Sequence, residues 1–448
     1  MRSRRLRLMA RLLRFPAGGG SARTAKIHPL GRKRGHSRRC EARLPSGCGL
    51  PSCLDCARAW TALVPPMQGS LSLKIAGPAE LLLERADGTR CSIHPLWLRE
   101  RCKDAASVDP RTQQRLQDPS DFDPDLELLA VSQPSAGVYR VRFSDGHEAS
   151  FSAEEILAEA ALDRNDHDCP APRLWDGTLA ELPRVRWRAD PGRDELISWL
   201  EPFLTLGFVI FEGVPSEPGM VLTVGAMFGF TRATNFGALF NVRSTPDAND
   251  LAYTSLALDP HTDNPYRAPV PGIQLLHCLV NETSGGLSTL VDGFAVAQSL
   301  REQHGQAFRI LSSTPVRFRY IDVDAELTAS APPIELDVTG GLKAIHFSPR
   351  LDFVPLFDRE QLEAYYRARR LFDHRLRAPD YQIRFLLGSG ELVMFDNCRL
   401  LHGRSGFDPA EGLRHLQGCY IDMDGPRSLY RVLRRRPSGE SSYARRSA

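Results

Sequence analysis

The stretch DPHTDNPYR, residues 259–267, places His261 and Asp263 two residues apart, just before a run that is typical of a β-strand. Imidazole and carboxylate groups are ligands for transition metals, but a His-x-Asp pair also occurs in ordinary polar turns. A third ligand, an anchor for a cofactor and a scaffold that brings these groups together are needed to distinguish the two cases.

The chain has 448 residues, 42% hydrophobic and 25% charged, which is an ordinary globular composition for two or three domains. No run reaches about 18 consecutive apolar residues, so no transmembrane helix is predicted. The net charge of +3 is unevenly distributed: residues 1–66 hold 15 Lys and Arg but two acidic residues, whereas the remainder holds 42 basic and 52 acidic residues. Because basic residues are in deficit outside this leader, the composition argues against a nucleic-acid-binding function.

The basic leader, residues 1–66, leaves three interpretations open. It fits a mitochondrial presequence, it could act as a nucleic-acid-binding arm, or Met67 is the true start. We expect it to be disordered or absent from the mature protein, which favours the cytoplasm unless the leader is a presequence for the mitochondrial matrix. Cysteines scattered through apolar runs favour a reducing compartment.

Two folded domains are predicted after the leader. Residues 67–166 form a small β-rich domain, in which VYRVRFSDGHEASF predicts a hairpin turning at Asp145-Gly146. Residues 170–435 form a larger domain of many short strands with a few covering helices, and residues 436–448 are expected to be a flexible tail. In the larger domain, QIRFLLGSGELVMFDN predicts a second hairpin that turns at 388–390. The sequence therefore predicts a mainly β fold with flanking helices.

Three further features give His261 and Asp263 a chemical context. FDNCRLLHGRSGF (395–407) adds His402, and two histidines with one carboxylate are the ligand set of non-haem Fe(II) oxygenases. Arg414 follows twelve residues later on the next strand, and its planar guanidinium can bind a carboxylate at two points. ETSGGLSTLVDG (282–293) adds glycines that allow close backbone approach and the Ser288 hydroxyl. Each feature alone also fits a loop histidine, a surface salt bridge or a plain turn.

The order HTD, GG-x-S, FDN-x-x-x-LHGR and then an arginine resembles the taurine dioxygenase (TauD/TfdA) superfamily of Fe(II)/2-oxoglutarate-dependent oxygenases. GIQLLHCLVNETSGGLSTLVDGFAVAQSL and RHLQGCYIDMD resemble, more narrowly, its gamma-butyrobetaine dioxygenase and trimethyllysine dioxygenase branch. The resemblance covers residues 85–435 and implies a double-stranded β-helix (jelly-roll) catalytic domain. It implies that His261, Asp263 and His402 bind Fe(II), and that Arg414 binds 2-oxoglutarate with Ser288 nearby.

The same resemblance implies that the enzyme uses O₂ to hydroxylate a small quaternary ammonium compound, with ascorbate as reductant. Gamma-butyrobetaine, which would give carnitine, is the leading substrate. Aromatic faces attract such a cation. The residues that match the family's substrate positions are Phe236, Phe240, Asp250, Tyr253, Asn264 and Tyr420. Because Asn264 stands where the family commonly has an aromatic residue, the group at the substrate's far end, a carboxylate or a phosphonate, stays open, and Arg350 is a candidate partner for it.

Members of this branch often bind zinc in the N-terminal domain through three cysteines and a histidine. Here only Cys102 and His147 match, and two ligands do not form a closed zinc site, so we expect zinc to be absent. The family is commonly dimeric, which leaves a homodimer open, and no membrane or nucleic-acid partner is expected. Three other functions stay open: a hydroxylase of a trimethylammonium phosphonate or another betaine, a catalytically silent cation-binding relative, and a nucleic-acid demethylase guided by the leader.

Overall fold

The computed structural model describes residues 71–85, 88, 90–162, 169–243 and 254–435. The predicted leader and the predicted C-terminal tail lie outside the described residues, as do Asp250 and Tyr253. In the described part of the chain, no helix is long and apolar enough to cross a membrane.

The strands, numbered in chain order, are β1 Leu71–Gly77, β2 Glu80–Arg85, β3 Arg90–Ile93, β4 Leu128–Ser135, β5 Val138–Phe143, β6 Glu148–Ser152, β7 Arg184–Arg186, β8 Phe208–Glu212, β9 Phe240–Val242, β10 Leu258–His261, β11 Ile273–Asn281, β12 Ser288–Asp292, β13 Val316–Ile321, β14 Glu326–Ala331, β15 Ile334–Leu336, β16 Leu342–Ile345, β17 Asp352–Phe353, β18 Gln382–Phe385, β19 Glu391–Asp396, β20 Leu400–Arg404 and β21 Arg414–Ile421. The α-helices are α1 Pro95–Glu100, α2 Ala153–Leu162, α3 Arg193–Leu206, α4 Met220–Phe228, α5 Gly293–Gln303, α6 Gly305–Ser313, α7 Arg359–Arg377 and α8 Asp424–Arg435.

The N-terminal region packs around a hydrophobic core of its own, formed by side chains between residues 73 and 156. The predicted hairpin is confirmed: β5 and β6 pair antiparallel, and Gly146 in their turn has a φ of 83°, which favours glycine. At the start of α2, the Ser152 hydroxyl accepts a hydrogen bond from the Glu155 N–H, and the Glu155 carboxylate accepts one from the Ser152 N–H. These reciprocal bonds satisfy backbone donors that the first helical turn leaves free.

Two facing sheets form the centre of the larger region, which also contains a three-stranded sheet, β14-β13-β17, and a two-stranded sheet, β15-β16. A four-stranded sheet has the order β10-β20-β12-β18, and a six-stranded sheet has the order β7-β8-β19-β11-β21-β9. Leu290 and Ile383 from the first sheet share one core with Phe208 and Phe395 from the second. Side chains that meet between two sheets in this way build a β-sandwich, so the prediction of a mainly β fold with flanking helices is confirmed.

Helices cover the sheets as the sequence predicts. α3 ends at Gly207, whose φ of 85° is a left-handed conformation common at helix ends. α7 begins after Asp358, whose carboxylate accepts the Gln361 N–H at 2.8 Å. The apolar face of α7, including Tyr365 and Phe372, packs with side chains of α5 and α6 in one core.

The prediction of a hairpin that turns at 388–390 is wrong. β18 pairs with β12 in the four-stranded sheet, whereas β19 pairs with β8 and β11 in the six-stranded sheet. The glycine-rich turn therefore carries the chain from one sheet to the other. A turn of this composition allows a hairpin, but it does not determine which strand each arm will join.

Candidate active site

The side chains of His261, Asp263 and His402 converge at the end of β10. His261 and His402 are directly opposed across the β10–β20 pair, and their ring centroids lie 4.4 Å apart. The Nε2 atoms of His261 and His402 lie 3.5 and 3.8 Å from Oδ1 of Asp263, and all three ligand atoms lie within 4.8 Å of one another. Two nitrogens and one carboxylate oxygen around a common point suit a divalent transition metal.

Hydrogen bonds from neighbouring groups orient these donors. The Nδ1 atom of His261 lies 2.9 Å from the Asp259 carbonyl oxygen, so a proton on Nδ1 leaves the Nε2 lone pair free. Asn397 is fully buried and holds the loop around Asp263. Its Oδ1 accepts the Asp263 N–H at 2.7 Å, and its Nδ2 donates to the carbonyls of Asp263 and Pro271. The backbone that carries Asp263 is therefore held in place by Asn397.

The electrostatics of the cluster favour the protonation states that bind metal. Burial lowers the pKa of His402 to about 3, an effect that His261 strengthens and Asp263 opposes. Burial tends to raise the pKa of the Asp263 carboxyl, but His402, His261 and the Tyr420 hydroxyl outweigh it and hold that pKa well below its usual range. Near neutral pH, His402 is therefore uncharged and Asp263 is ionised, as metal ligands must be.

Arg414 is a buried cation without a carboxylate partner among the described residues. Its side chain is 5% exposed, Nη2 donates to the Gly286 carbonyl at 3.2 Å, and Nε is buried without a hydrogen-bond partner. Burial lowers its pKa. Arg414 reaches the pocket from β21, the strand that follows β20 in the chain as predicted, and β21 pairs with β11 and β9 and not with β20. A buried guanidinium of this kind is suited to an incoming carboxylate.

A single pocket contains the triad, Arg414 and all of the described residues predicted to bind substrate. The predicted residues among its walls are Phe236, Phe240, His261, Asp263, Asn264, Ser288, Arg350, His402, Arg414 and Tyr420. The positions of Asp250 and Tyr253 fall outside the described residues, so their predicted roles stay predictions.

Aromatic rings form two groups in this region. Phe240 packs against Tyr420 with ring centroids 5.1 Å apart. Tyr266 stacks on Tyr320 at 5.0 Å, and Phe236 meets Tyr320 edge-on at 5.6 Å. Their faces carry the negative π density that attracts a diffuse cation.

Two amides contribute unpaired polar atoms to the pocket. Asn264, 5% exposed and with a φ of 53°, accepts a hydrogen bond from the Tyr266 hydroxyl, while its Nδ2 is buried without a partner in the described part of the chain. Oε1 of Gln274, which is 2% exposed, also lacks a partner there. Buried polar atoms without partners are uncommon in proteins, and a bound ligand is one way to satisfy them.

Several contacts that shape this site could not be predicted from the sequence. Asn397 was quoted within FDN, but its contact with the Asp263 loop joins positions 134 residues apart. Tyr320 and Gln274 carry no local signal, since each looks like an ordinary strand residue. For Tyr420 the sequence indicated the ring but not the hydrogen bond from its hydroxyl to Oδ2 of Asp263, at 2.8 Å.

A second group of donors lies in the N-terminal region, where Cys102, Asp104 and His147 have ligand atoms within 4.8 Å of one another. Cys102 and His147 are the two residues that match the zinc pattern in the sequence, and the structure places Asp104 beside them as a third possible donor. Nε2 of His147 lies 3.0 Å from Asp104, and Ser107 donates to Asp104 at 3.1 Å. Arg99, 4% exposed, donates to Ser107 at 3.3 Å.

This group does not fit a closed structural zinc site. Such sites use four Cys or His ligands, whereas here the fourth corner is the Ser107 hydroxyl, which accepts a hydrogen bond from Arg99. Burial raises the pKa of the Cys102 thiol to about 12, against an opposing effect of the Arg99 charge. The Arg99 guanidinium also pairs with Asp145 at 2.9 Å, so a fixed cation already lies beside these donors.

Comparison with known proteins gives matches along most of the chain. The family model "Taurine catabolism dioxygenase TauD, TfdA family" matches residues 180–420, and "Gamma-butyrobetaine hydroxylase-like, N-terminal" matches residues 76–156. Gamma-butyrobetaine dioxygenase of Pseudomonas sp. (strain AK-1) is 37% identical over 78% of this chain and 92% of its own length. The Homo sapiens gamma-butyrobetaine dioxygenase is 32% identical over 77% and 92%. The mitochondrial trimethyllysine dioxygenase of Rattus norvegicus is 28% identical over 75% and 82%.

Proposed function

The chain belongs to the TauD/TfdA family of dioxygenases, and from this premise we propose that it is an Fe(II)- and 2-oxoglutarate-dependent hydroxylase of a small quaternary ammonium compound. Gamma-butyrobetaine, which would be converted to carnitine, is the first candidate substrate. The observation that carries the proposal is the meeting of His261, Asp263 and His402 in the same pocket as the unpaired cation of Arg414.

The donor set fits Fe(II): His261 and His402 supply Nε2 atoms, and Asp263 supplies Oδ1. When bound, iron together with 2-oxoglutarate supplies the chemistry that uses O₂ to hydroxylate an unactivated C–H bond, with succinate and CO₂ as co-products. Arg414 would bind the carboxylate of 2-oxoglutarate that is remote from the metal, and Ser288, at the start of β12, lies in the same pocket. Ascorbate is proposed as an accessory reductant.

The aromatic walls would hold the trimethylammonium group. Phe240 and Tyr420 form one pair of faces near the triad, and Tyr320 extends the second group that begins with Phe236. Such faces bind a quaternary ammonium without needing a hydrogen-bond acceptor. Holding the cation at a fixed place sets which carbon lies closest to the metal donors.

The far end of the substrate would be recognised by donors. The unpaired Nδ2 of Asn264 and the guanidinium of Arg350 belong to the same pocket, and the charge of Arg350 is close enough to help lower the pKa of His402. Both groups favour an anionic end. A trimethylammonium phosphonate is therefore the second candidate substrate, because a phosphonate offers more acceptor oxygens than a carboxylate to two such donors.

We propose that the cluster of Cys102, Asp104 and His147 is held together by Arg99 and not by zinc.

The proposed partner of the protein is a small molecule. A homodimer is a hypothesis that a measurement of the molecular mass in solution would test. The mitochondrial matrix is a second hypothesis, which the name of the Rattus norvegicus relative favours and which depends on residues 1–66 acting as a presequence.

Succinate formation tests the proposal. The full chain is incubated with Fe(II), ascorbate and 2-oxoglutarate, with gamma-butyrobetaine, trimethyllysine, trimethylaminoethyl-phosphonate, taurine or no substrate. We expect a trimethylammonium compound to stimulate succinate formation well above the no-substrate level, and a carboxylate or phosphonate preference to identify the far end. Tight binding of these cations without succinate would instead favour a catalytically silent relative, and stimulation by taurine alone would reject the aromatic site.

A further inference from the structure

Tyr420 contacts both halves of the candidate site. It is 4% exposed on β21. Its ring packs against Phe240 at 5.1 Å with an interplanar angle of 30°, on the side proposed to hold the cation. Its hydroxyl donates to Oδ2 of Asp263 at 2.8 Å. One side chain therefore forms a wall for the substrate and a hydrogen bond to the triad carboxylate.

The hydrogen bond from Tyr420 determines which Asp263 oxygen is available to a metal. Both histidine Nε2 atoms approach Oδ1, at 3.5 and 3.8 Å, while Oδ2 is engaged by the tyrosine hydroxyl. Asn397 fixes the Asp263 backbone but not the rotation of its carboxylate. With the histidine Nε2 atoms directed at a metal, the hydrogen bond from the Tyr420 hydroxyl to Oδ2 can hold that rotation.

A short chain of side chains continues from Tyr420 into the pocket. Asn264 lies beside the Tyr420 hydroxyl. Asn264 in turn accepts a hydrogen bond from the Tyr266 hydroxyl, and the Tyr266 ring stacks on Tyr320 at 5.0 Å. A ligand that orders these rings would thus also restrict the group that orients Asp263.

We propose that Tyr420 is a positioning residue for the metal-binding carboxylate as well as a wall of the cation pocket, so that substrate binding and metal retention are coupled through it. The inference rests on the proposed function, because it takes Asp263 as a metal ligand. Coupling of this kind is reciprocal: a cation that orders Tyr420 strengthens metal binding, and bound metal strengthens cation binding.

The test measures Mn(II) affinity, as a redox-stable stand-in for Fe(II), by anaerobic titration calorimetry of the full chain with 2-oxoglutarate present. Tyr420→Phe keeps the ring and removes the hydroxyl, and we expect about 10- to 100-fold weaker Mn(II) binding, as for other groups that orient metal ligands. Tyr430→Phe is the matched control, since its hydroxyl bonds Glu201 at 3.2 Å and lies outside the pocket, and its affinity should equal that of the parent. Thermal unfolding of each variant checks that it is folded.

A second measurement isolates the coupling. Saturating gamma-butyrobetaine should tighten Mn(II) binding by the parent chain and have little effect on Tyr420→Phe. Equal Mn(II) affinity of Tyr420→Phe and the parent chain would overturn the inference. So would an equal effect of gamma-butyrobetaine on the Mn(II) affinity of both proteins.

Asp263→Asn separates this outcome from failure of the proposed function. If Asp263→Asn loses Mn(II) and Tyr420→Phe does not, the triad stands and the role of Tyr420 is rejected. If Asp263→Asn binds Mn(II) as well as the parent does, the triad itself is rejected and the inference falls with it.

Discussion

Arg414 is a single residue whose environment indicates its ligand. Its guanidinium is buried, and it donates a hydrogen bond to the neutral Gly286 carbonyl. An unpaired buried charge is costly, and a bound carboxylate would offset that cost. We therefore propose that Arg414 forms a preformed anion site in the pocket that also contains His261, Asp263 and His402.

Arg414→Met is expected to raise the KM for 2-oxoglutarate by about 100-fold, because one partner of a buried charge pair is lost. The affinity for metal should change far less, since Arg414 is not a donor of the triad. Initial-rate measurements over a range of 2-oxoglutarate concentrations check this. Arg384→Met, which changes an exposed arginine on β18, should leave the KM unchanged. An unchanged KM in Arg414→Met would contradict the assigned role.

His277 provides a pH prediction at the same scale. Burial lowers its pKa from 6.5 to about 4, against a smaller opposing effect from the Val214 backbone. The unfolded chain therefore binds more protons between these two pH values, so this histidine makes the fold less stable as the pH falls from about 6.5 towards 4, by at most about 3 kcal/mol. Above pH 6.5 this loss of stability is absent.

His277→Leu should remove that part of the pH dependence. Urea midpoints at pH 7, 6 and 5 should fall less steeply for the variant than for the parent chain. Parallel decreases in the two proteins would show that His277 is protonated as easily in the folded as in the unfolded state.

The triad and Arg414 could be predicted from the sequence because they lie in short, ordered motifs with chemically specific side chains. The hydrogen bond between Tyr420 and Asp263 could not, since it joins positions 157 residues apart and depends on tertiary packing. Asp104 could not be predicted for a different reason: structural zinc patterns consist of Cys and His, so a carboxylate carries no such signal.

At the scale of elements, β21 determines much of the pocket. Because side chains alternate between the faces of a strand, Arg414, Leu416 and Tyr420 lie on one face and all line the pocket. Gly418 belongs to the same row, and the absence of a side chain there leaves space for the Phe240 ring. The sequence predicted this strand correctly, but the partners of β18 and β19 depend on which sheet each joins, and the turn between them carries no information about that choice.

Gly418→Ala is expected to weaken substrate binding selectively. A Cβ at this position would lie 2.4 Å from the Phe240 ring, so the ring must move. We expect the KM for the trimethylammonium substrate to rise about tenfold, within the range of cation–π energies, with the KM for 2-oxoglutarate nearly unchanged.

Gly286→Ala serves as the matched contrast, because its Cβ would lie 2.6 Å from Nε of Arg414. It should raise the KM for 2-oxoglutarate and have a smaller effect on the KM for the trimethylammonium substrate. The same pattern of effects in both variants would show general disruption and would contradict the separation of the two subsites.

At the scale of the whole molecule, two regions each contain a cluster of possible metal ligands, but the clusters differ in what surrounds them. The donors near His261 line a pocket that also contains the buried guanidinium of Arg414. The cluster near Cys102 has donors engaged with one another and with Arg99. The folded regions also match two separate family models, so their cores and roles can be considered one at a time.

We predict that the protein binds iron at the triad and no structural zinc. Elemental analysis of the purified full chain, loaded with Fe(II) and desalted anaerobically, should give close to one equivalent of iron and far less zinc. A chelator should remove the iron without lowering the unfolding temperature of the N-terminal region. Asp263→Asn should lose the iron. One equivalent of zinc that persists in Asp263→Asn would show that Cys102, Asp104 and His147 do bind it.

The central claim is that this pocket couples oxidation of 2-oxoglutarate to hydroxylation of a trimethylammonium substrate. The most direct measurement is the reaction of the full chain with ¹⁸O₂, gamma-butyrobetaine, Fe(II) and 2-oxoglutarate, with both products analysed by mass spectrometry. The account predicts one labelled oxygen in succinate and one in the hydroxylated product, formed in equal amounts, and neither product from His261→Ala. Succinate formed at the same rate without the substrate, and no labelled hydroxylated product, would contradict it.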